Sequence, residues 1–262
     1  MPTEDGVGYG DLTEIKIHIF MKIVAMHLAI SQAVIMKHQK IYPPNYHYIE
    51  LTAGKGFTPN GEKGSPIAFI EVAESENISI PYNVDFIECE PLNIAALEDN
   101  LNEEKQKQGW KKSNWEFHCG KYQDEIQSLL GTQKNEFGLV FVDHSGDLPD
   151  FTTLELISKL RPKMEILIYL PATNVKRTFL YTEKRLKDYL DSIGKKHWLI
   201  RKPITWDKHK WTFLLGTNAP DLFKTYKAID FYKLESEKGQ EIFKILNLTT
   251  KEQFELIQPK LL

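Results

Sequence analysis

Cysteine is almost absent: Cys89 and Cys119 are the two in 262 residues, too few for a disulfide framework and without the paired spacing of a zinc-binding set. Read alone, they are small buried hydrophobes. An unbroken apolar run of bilayer-spanning length is missing too, because residues 15–35 are interrupted by Lys16, His18, Lys22 and His27, which the middle of a spanning helix does not tolerate. That stretch predicts a packed helix and no membrane partner. Nor does a basic start lead into an apolar core: Met1 is soon followed by Thr3, Glu4 and Asp5, which predicts a cytoplasmic chain. Internal repeats and low-complexity tracts are lacking, and so is the whole-domain basic charge of many nucleic-acid binders, with 33 Lys and Arg against 36 Asp and Glu.

What is present is an ordinary globular balance of 42% hydrophobic and 26% charged residues. A chain of this length buries a full core as one α/β unit, so residues 1–262 are read as a single domain. It comprises an N-terminal helical segment (1–45), a core (46–217) and C-terminal helices (218–262). The first forty residues read as mainly one apolar helix, stopped by Tyr42-Pro43-Pro44. Short runs rich in β-branched and aromatic residues at 47–51, 84–88, 115–118, 139–142 and 165–170 predict strands. Helix-period segments at 66–73, 92–107, 122–130 and 153–160 separate them. The alternation predicts a doubly wound, mostly parallel, Rossmann-like sheet of about seven strands. Two runs at 197–201 and 210–216, joined by a short connection, predict a C-terminal antiparallel pair. Ser65 before Pro66 reads as a helix N-cap, and Thr249 with Glu252 as a capping box in the C-terminal tail.

The most informative stretch is Tyr48-Ile-Glu50-Leu-Thr-Ala53-Gly54-Lys-Gly56, an apolar strand running into two glycines. Glycines permit positive φ and close backbone approach, which an adenosyl or phosphate ligand needs at the carboxyl edge of a parallel sheet. A nicotinamide or flavin fingerprint would place Gly or Ala three residues after the second glycine, where this chain has Pro59, and would start its helix at once instead of near Pro66. Glu50 is positioned to face a cationic methionyl group directly or through water. About thirty residues on, Val84-Asp-Phe-Ile-Glu88-Cys-Glu90 ends in carboxylates, and Glu88, with Glu90 as its substitute, suits the two ribose hydroxyls of an adenosyl ligand. A glycine turn followed by a carboxylate at this spacing predicts S-adenosylmethionine (SAM) as the cofactor, with Ala53, Gly54 and Gly56 in the loop.

Together Tyr48–Gly56, Gly64-Ser-Pro-Ile-Ala68, Phe86-Ile-Glu-Cys-Glu90, residues 137–146 and residues 165–177 resemble the three-Cys-motif partner proteins, bacterial relatives of class I methyltransferases. The likeness covers roughly residues 12–217. Its most specific element is Ala53-Gly-Lys-Gly56 followed by Gly64-Ser-Pro66. The resemblance implies a SAM-binding fold, a bacterial or phage setting, and a partner protein that carries the three cysteines. This chain departs from the pattern twice. His118-Cys-Gly-Lys121 stands where methyltransferases often have an Asp for adenine, and Asp143-His144-Ser145-Gly146 stands where the family usually reads Asp-Pro.

Asp143 ends a buried apolar strand at the ligand-binding edge and is also a candidate cofactor contact. A carboxylate there can orient a nucleophile, His144 can act as a base near neutral pH, and Tyr169 can stack on a planar substrate. Between Lys176 and Lys210 the chain holds 11 basic and 4 acidic residues, leaving 22 and 32 elsewhere. Lys176, Arg177, Arg201, Lys202, Lys208 and Lys210, interleaved with tryptophans, therefore form a candidate nucleic-acid face; a solvated strand with tryptophans turned inward is the competing reading. The functional expectation is a SAM-dependent methyltransferase acting on nucleic acid in a defence or mobile-element context. The alternatives are a catalytically silent SAM-fold module working with a partner protein, and a SAM-cleaving enzyme.

Overall fold

A strand that crosses through a helix into another strand of the same sheet returns parallel to it, and residues 46–142 are assembled from such strand–helix–strand steps. The computed structural model describes residues 11–38, 45–112, 114–134, 136–144, 146–178, 182, 184–206 and 209–247. The chain divides into two compact units, Met1–Val142 with Lys159–Glu165 and Asp143–Ser158 with Ile166–Leu262.

In the first unit, strands β1 (Tyr46–Glu50), β2 (Tyr82–Glu88), β3 (Trp115–Cys119) and β4 (Phe137–Val142) lie in the order β3-β2-β1-β4. Each pairing is parallel, with Glu50 opposite both Phe86 and Phe141. Helices α1 (Asp11–Lys37), α2 (Ser65–Ala73), α3 (Pro91–Gln108) and α4 (Tyr122–Leu130) accompany them. Because side chains alternate along a strand, Tyr46 and Tyr48 share one face of β1. There Tyr48 stacks on Phe69 of α2 at 3.7 Å between ring centroids, and Phe20 of α1 packs on Phe141 at 4.6 Å. Each fully buried aromatic of this set contributes about 1.5–3 kcal/mol, and Phe69→Ala would cost about 3–5 kcal/mol.

Helix α1 is long and apolar enough to cross a membrane by length and composition. Its inner face, however, holds Phe20, Ile23, Val24 and Leu28 out of solvent. His27 on the same face meets the Tyr46 hydroxyl at 2.7 Å, Glu165 at 3.2 Å and Ser31 at 3.4 Å. A polar network of this kind on a buried helical stripe is the mark of a core helix, as the interrupted sequence predicts.

The second unit contains most of α5 (Phe151–Leu160) and β5 (Met164–Pro171), then α6 (Ala172–Thr178), α7 (Leu186–Ile193), β6 (His197–Arg201), β7 (Ile204–Trp206), β8 (His209–Thr217), α8 (Phe223–Tyr226), β9 (Phe231–Lys233) and α9 (Glu237–Asn247). Its strands run β5-β8-β6-β9, antiparallel throughout, with β7 also paired to β8. The last long strand thus inserts antiparallel between β5 and β6, with Tyr169 opposite Phe213 and Ile200 opposite Leu214.

The fold is the predicted α/β, Rossmann-like class, with nine strands among the described residues where about seven are expected. The additions are β7 and β9, three residues each and too short to show a period. Tyr42-Pro43-Pro44 and the Thr249–Glu252 capping box lie outside the described residues. One expectation fails: Cys89 and Cys119 are both exposed, because they stand at or just past the carboxyl ends of β2 and β3, where the strands leave the core.

Candidate functional site

At the carboxyl tips of parallel strands the backbone must leave the sheet, and in the first unit β1 leaves it slowly. Leu51 still donates to the Phe141 carbonyl and Ala53 to the Ile87 carbonyl, each at 2.9 Å. Gly54 and Gly56 then take φ of +65° and +83°, the left-handed region that costs any other residue about 1–2 kcal/mol. The two glycines do different work. A Cβ on Gly54 would meet nothing within 4 Å, whereas one on Gly56 would lie 2.9 Å from Leu97 Cδ1. Gly54 therefore faces open space and Gly56 serves packing.

The Gly54 amide donates to Glu88 Oε2 at 2.8 Å, and the Glu90 amide donates to Glu88 Oε1 at 2.9 Å. Glu88 is buried and pinned between the two strand tips by these bonds. Oε1 also accepts from the Cys89 thiol at 3.6 Å, so Oε2 is the oxygen that keeps a second lone pair for a hydroxyl donor. Glu90 itself is exposed, immediately before α3.

The Gly64-Ser-Pro66 element turns out to clasp this loop. The Gly64 amide donates to the Gly56 carbonyl at 2.7 Å, and a Cβ on Gly64 would stand 2.9 Å from that oxygen. Between them Phe57 and Lys63 bridge antiparallel, and Thr58 Oγ1 accepts from the Glu62 amide at 3.0 Å. This small folded loop is why α2 starts only at Ser65.

Two sequence expectations are corrected here. Ser65 is not the N-cap: that place is taken by Gly64, without a side-chain cap bond, and the Ser65 hydroxyl is instead hydrogen-bonded to Glu50 Oε1. Glu50 in turn is wholly buried, and its other oxygen accepts from the Tyr48 hydroxyl at 2.9 Å. A carboxylate committed to those two hydroxyls braces the start of α2, and direct approach to a cationic ligand is closed to it. Ser65 is a supporting residue that sequence reasoning assigned to the wrong task, because its partner lies fifteen positions upstream.

In the second unit Asp143 and His144 follow the end of β4, both half-buried, and the Asp143 charge acts on Tyr169 of β5. Burial first, and then the Asp143 carboxylate, push the Tyr169 hydroxyl far above its ordinary value. At neutral pH it is a proton donor. Its ring packs against Trp211 and Phe213, with centroids at 5.5 and 5.6 Å. Asn174 of α6, which sequence reasoning missed, donates through Nδ2 to the Asp147 carbonyl at 3.0 Å and to the His144 carbonyl at 3.5 Å. It ties down the turn that carries His144.

The candidate nucleic-acid residues separate. Arg177 is exposed, but its guanidinium donates to the Gly146 carbonyl at 2.5 Å. Arg201 is buried, donates to the Lys202 carbonyl at 3.1 Å and lies 3.6 Å from Asp230; it is not a surface phosphate ligand. Trp198 and Trp211 are buried as well, Trp198 lying across Gly216 on the neighbouring strand, so stacking surfaces are not offered there. Lys202 is exposed, Lys176 and Lys210 are half-exposed, and Lys208 lies outside the described residues.

Among known proteins, no family model matches the chain and no curated protein matches it. Solved structures to which the chain shows similarity include spermidine synthase from Thermotoga maritima, at 14% identity over 88% of this chain and 70% of that one, TM-score 0.45. An arsenic(III) S-adenosylmethionine methyltransferase from Chlamydomonas reinhardtii is 15% identical over 67% and 64%, TM-score 0.44. A geranyl diphosphate methyltransferase in complex with geranyl diphosphate (GPP) and sinefungin is 8% identical over 72% and 78%, TM-score 0.40.

Proposed function

We propose that this chain is a SAM-dependent methyltransferase whose cofactor is held at the carboxyl tips of β1 and β2. The observation that carries the reading is the bond from the Gly54 amide to Glu88, which couples an open glycine turn to a buried carboxylate with spare acceptor capacity. The fit to an adenosyl group rests on these residues: Gly54 leaves open space where a Cβ would stand, and Glu88 accepts the ribose hydroxyls. The parallel order β3-β2-β1-β4 and the antiparallel insertion of β8 also support it. Bound SAM would supply an already activated methyl group, so the chain's own task is alignment more than covalent participation.

For the acceptor, the second unit offers Asp143 to orient a nucleophile or take its proton, and Tyr169 as a hydroxyl that stays protonated beside it. His144 is a second base, its turn fixed by Asn174. Nucleic acid is the proposed substrate, with Lys176, Lys202 and Lys210 as phosphate contacts. The setting is a cytoplasmic, bacterial or phage defence or mobile-element system, with membership of the three-Cys-motif partner family and a separate partner protein.

One observation favours a rival, the catalytically silent module. Arg177 closes onto Gly146 and occupies the turn where an amino-methylating enzyme keeps its Pro-Pro-aromatic segment. Calorimetric titration with SAM and with NAD, on wild type and Glu88→Ala, tests the cofactor. NAD binding without SAM binding refutes the reading. Product analysis then divides the rest. S-adenosylhomocysteine with a labelled acceptor means methyl transfer, methylthioadenosine with homoserine lactone means cleavage, and bound but unchanged SAM means a module.

A further inference from the structure

Residues 47, 85, 116 and 118 share the opposite face of the parallel strands from Tyr48 and Phe86, since Asp85 pairs with Ile49 on one side and with Glu116 on the other. On that face an imidazole and two carboxylates converge. The ligand-type atoms of Asp85, Glu116 and His118 all lie within 4.8 Å of one another. The geometry points to a divalent transition-metal site of the zinc class at these three residues, separate from the glycine loop and independent of the methyltransferase reading.

Three features carry the assignment. First, His118 Nε2 and Asp85 Oδ1 stand 2.7 Å apart. The imidazole N–H side is thus turned onto the carboxylate in the metal-free chain, and the same two atoms are the pair that a metal ion would draw on when one binds. Second, Glu116 is the direct cross-strand partner of Asp85, which sets a second carboxylate beside the His118–Asp85 pair on the same face. The donor set of one nitrogen and two carboxylates, with charge −2, matches a divalent ion and leaves a fourth position for water.

Third, Asp85 is held from behind. His47 Nε2 lies 2.5 Å from Asp85 Oδ2, His47 Nδ1 lies 3.2 Å from Glu136, and Arg161 Nε donates to Glu136 at 2.6 Å. Arg161 is itself fixed by the carbonyls of Leu130, Thr132 and Leu160 at 2.8–2.9 Å. Metal carboxylates need such outer hydrogen bonds to fix their orientation. Asp85 is buried and His118 half-buried, while Glu116 is exposed. The buried half of the site is therefore held in place, and the exposed Glu116 side chain has room to turn onto an ion, with ligand atoms at the ~3.3 Å separation of a tetrahedral shell.

The test is titration of the metal-free full-length chain with Zn²⁺, by calorimetry and by competition with a chromophoric chelator. Co²⁺ serves as a spectroscopic substitute, no SAM is present, and far-UV circular dichroism confirms folding. One equivalent of Zn²⁺ is expected, with affinity falling at least tenfold in Glu116→Gln and in His118→Ala and unchanged in Cys119→Ser and Glu103→Gln. Glu116→Gln alters an exposed side chain, so its result stands even if His118→Ala unfolds. No stoichiometric binding, binding indifferent to Glu116→Gln, or loss of binding in Cys119→Ser each overturns the site. SAM affinity is measured separately, and its absence leaves this inference untouched.

Discussion

The backbone amide of Gly54 lies 2.8 Å from a carboxylate oxygen of Glu88, joining two strand tips that are 34 residues apart in sequence. The bond fixes the carboxylate without exhausting it. Glu88→Ala removes the acceptor proposed for the ribose hydroxyls, and hydrogen bonds to a charged group contribute about 1.5–3 kcal/mol each. SAM affinity measured by calorimetry should fall at least tenfold, with the fold intact. Equal affinity in wild type and variant would remove Glu88 from the site.

The glycines of the loop should separate by phenotype. Gly64→Ala drives a methyl against the Gly56 carbonyl at 2.9 Å, backbone against backbone with no side chain to yield. A loss of about 1–3 kcal/mol in urea unfolding is expected. Gly54→Ala meets open space and pays mainly for its positive φ, about 1 kcal/mol, but its methyl occupies the volume assigned to the ligand. It should lose more SAM affinity than stability, and the reverse order would mean that Gly54 only shapes the turn.

These contrasts show what a sequence can and cannot reveal. The first-unit strands and α2 to α4 were legible because apolar runs, prolines and glycines are local signals, and the spacing singled out Gly54 and Glu88 separately, though not the bond between them. Glu50 was misread because its partners Ser65 and Tyr48 are defined by packing. Arg201 was misread for a different reason. The alternation argument assumes one wet face, but β6 lies between β8 and β9 and four of its five residues are buried, so parity carried no information. The Asp85, Glu116 and His118 convergence was invisible because it depends on the register between β2 and β3.

Acid should weaken the first unit through Glu136. His47 and Arg161 together hold its carboxyl down to about 2, from an ordinary 4.5. A depressed carboxylate contributes stability that is fully present above the unfolded value and lost as pH falls from about 4.5 toward 2. Glu136 is partly exposed, so solvent screening reduces the contribution to about 1–2 kcal/mol. Glu136→Gln should be less stable than wild type at pH 7 by that amount, and the gap should shrink toward pH 2 in unfolding curves. A gap that stays constant with pH would assign the loss to packing.

Tyr169 offers the sharpest electrostatic test in the second unit. Burial is the larger reason that its hydroxyl resists ionisation and the Asp143 carboxylate is the second, so Asp143→Asn should lower the midpoint without restoring the ordinary value. Tyrosine ring resonances followed by NMR, assigned with Tyr169→Phe, should show wild-type Tyr169 still protonated at pH 10.5, where an exposed tyrosine is mostly ionised. If the proposed chemistry holds, the pH profile of methyl transfer contains no limb from Tyr169, and Tyr169→Phe lowers kcat by removing a donor while leaving SAM affinity in place. A Tyr169 that titrates like a free phenol would mean that Asp143 and the aromatic pair of Trp211 and Phe213 do not shield it, and its assigned role as a fixed donor would fall.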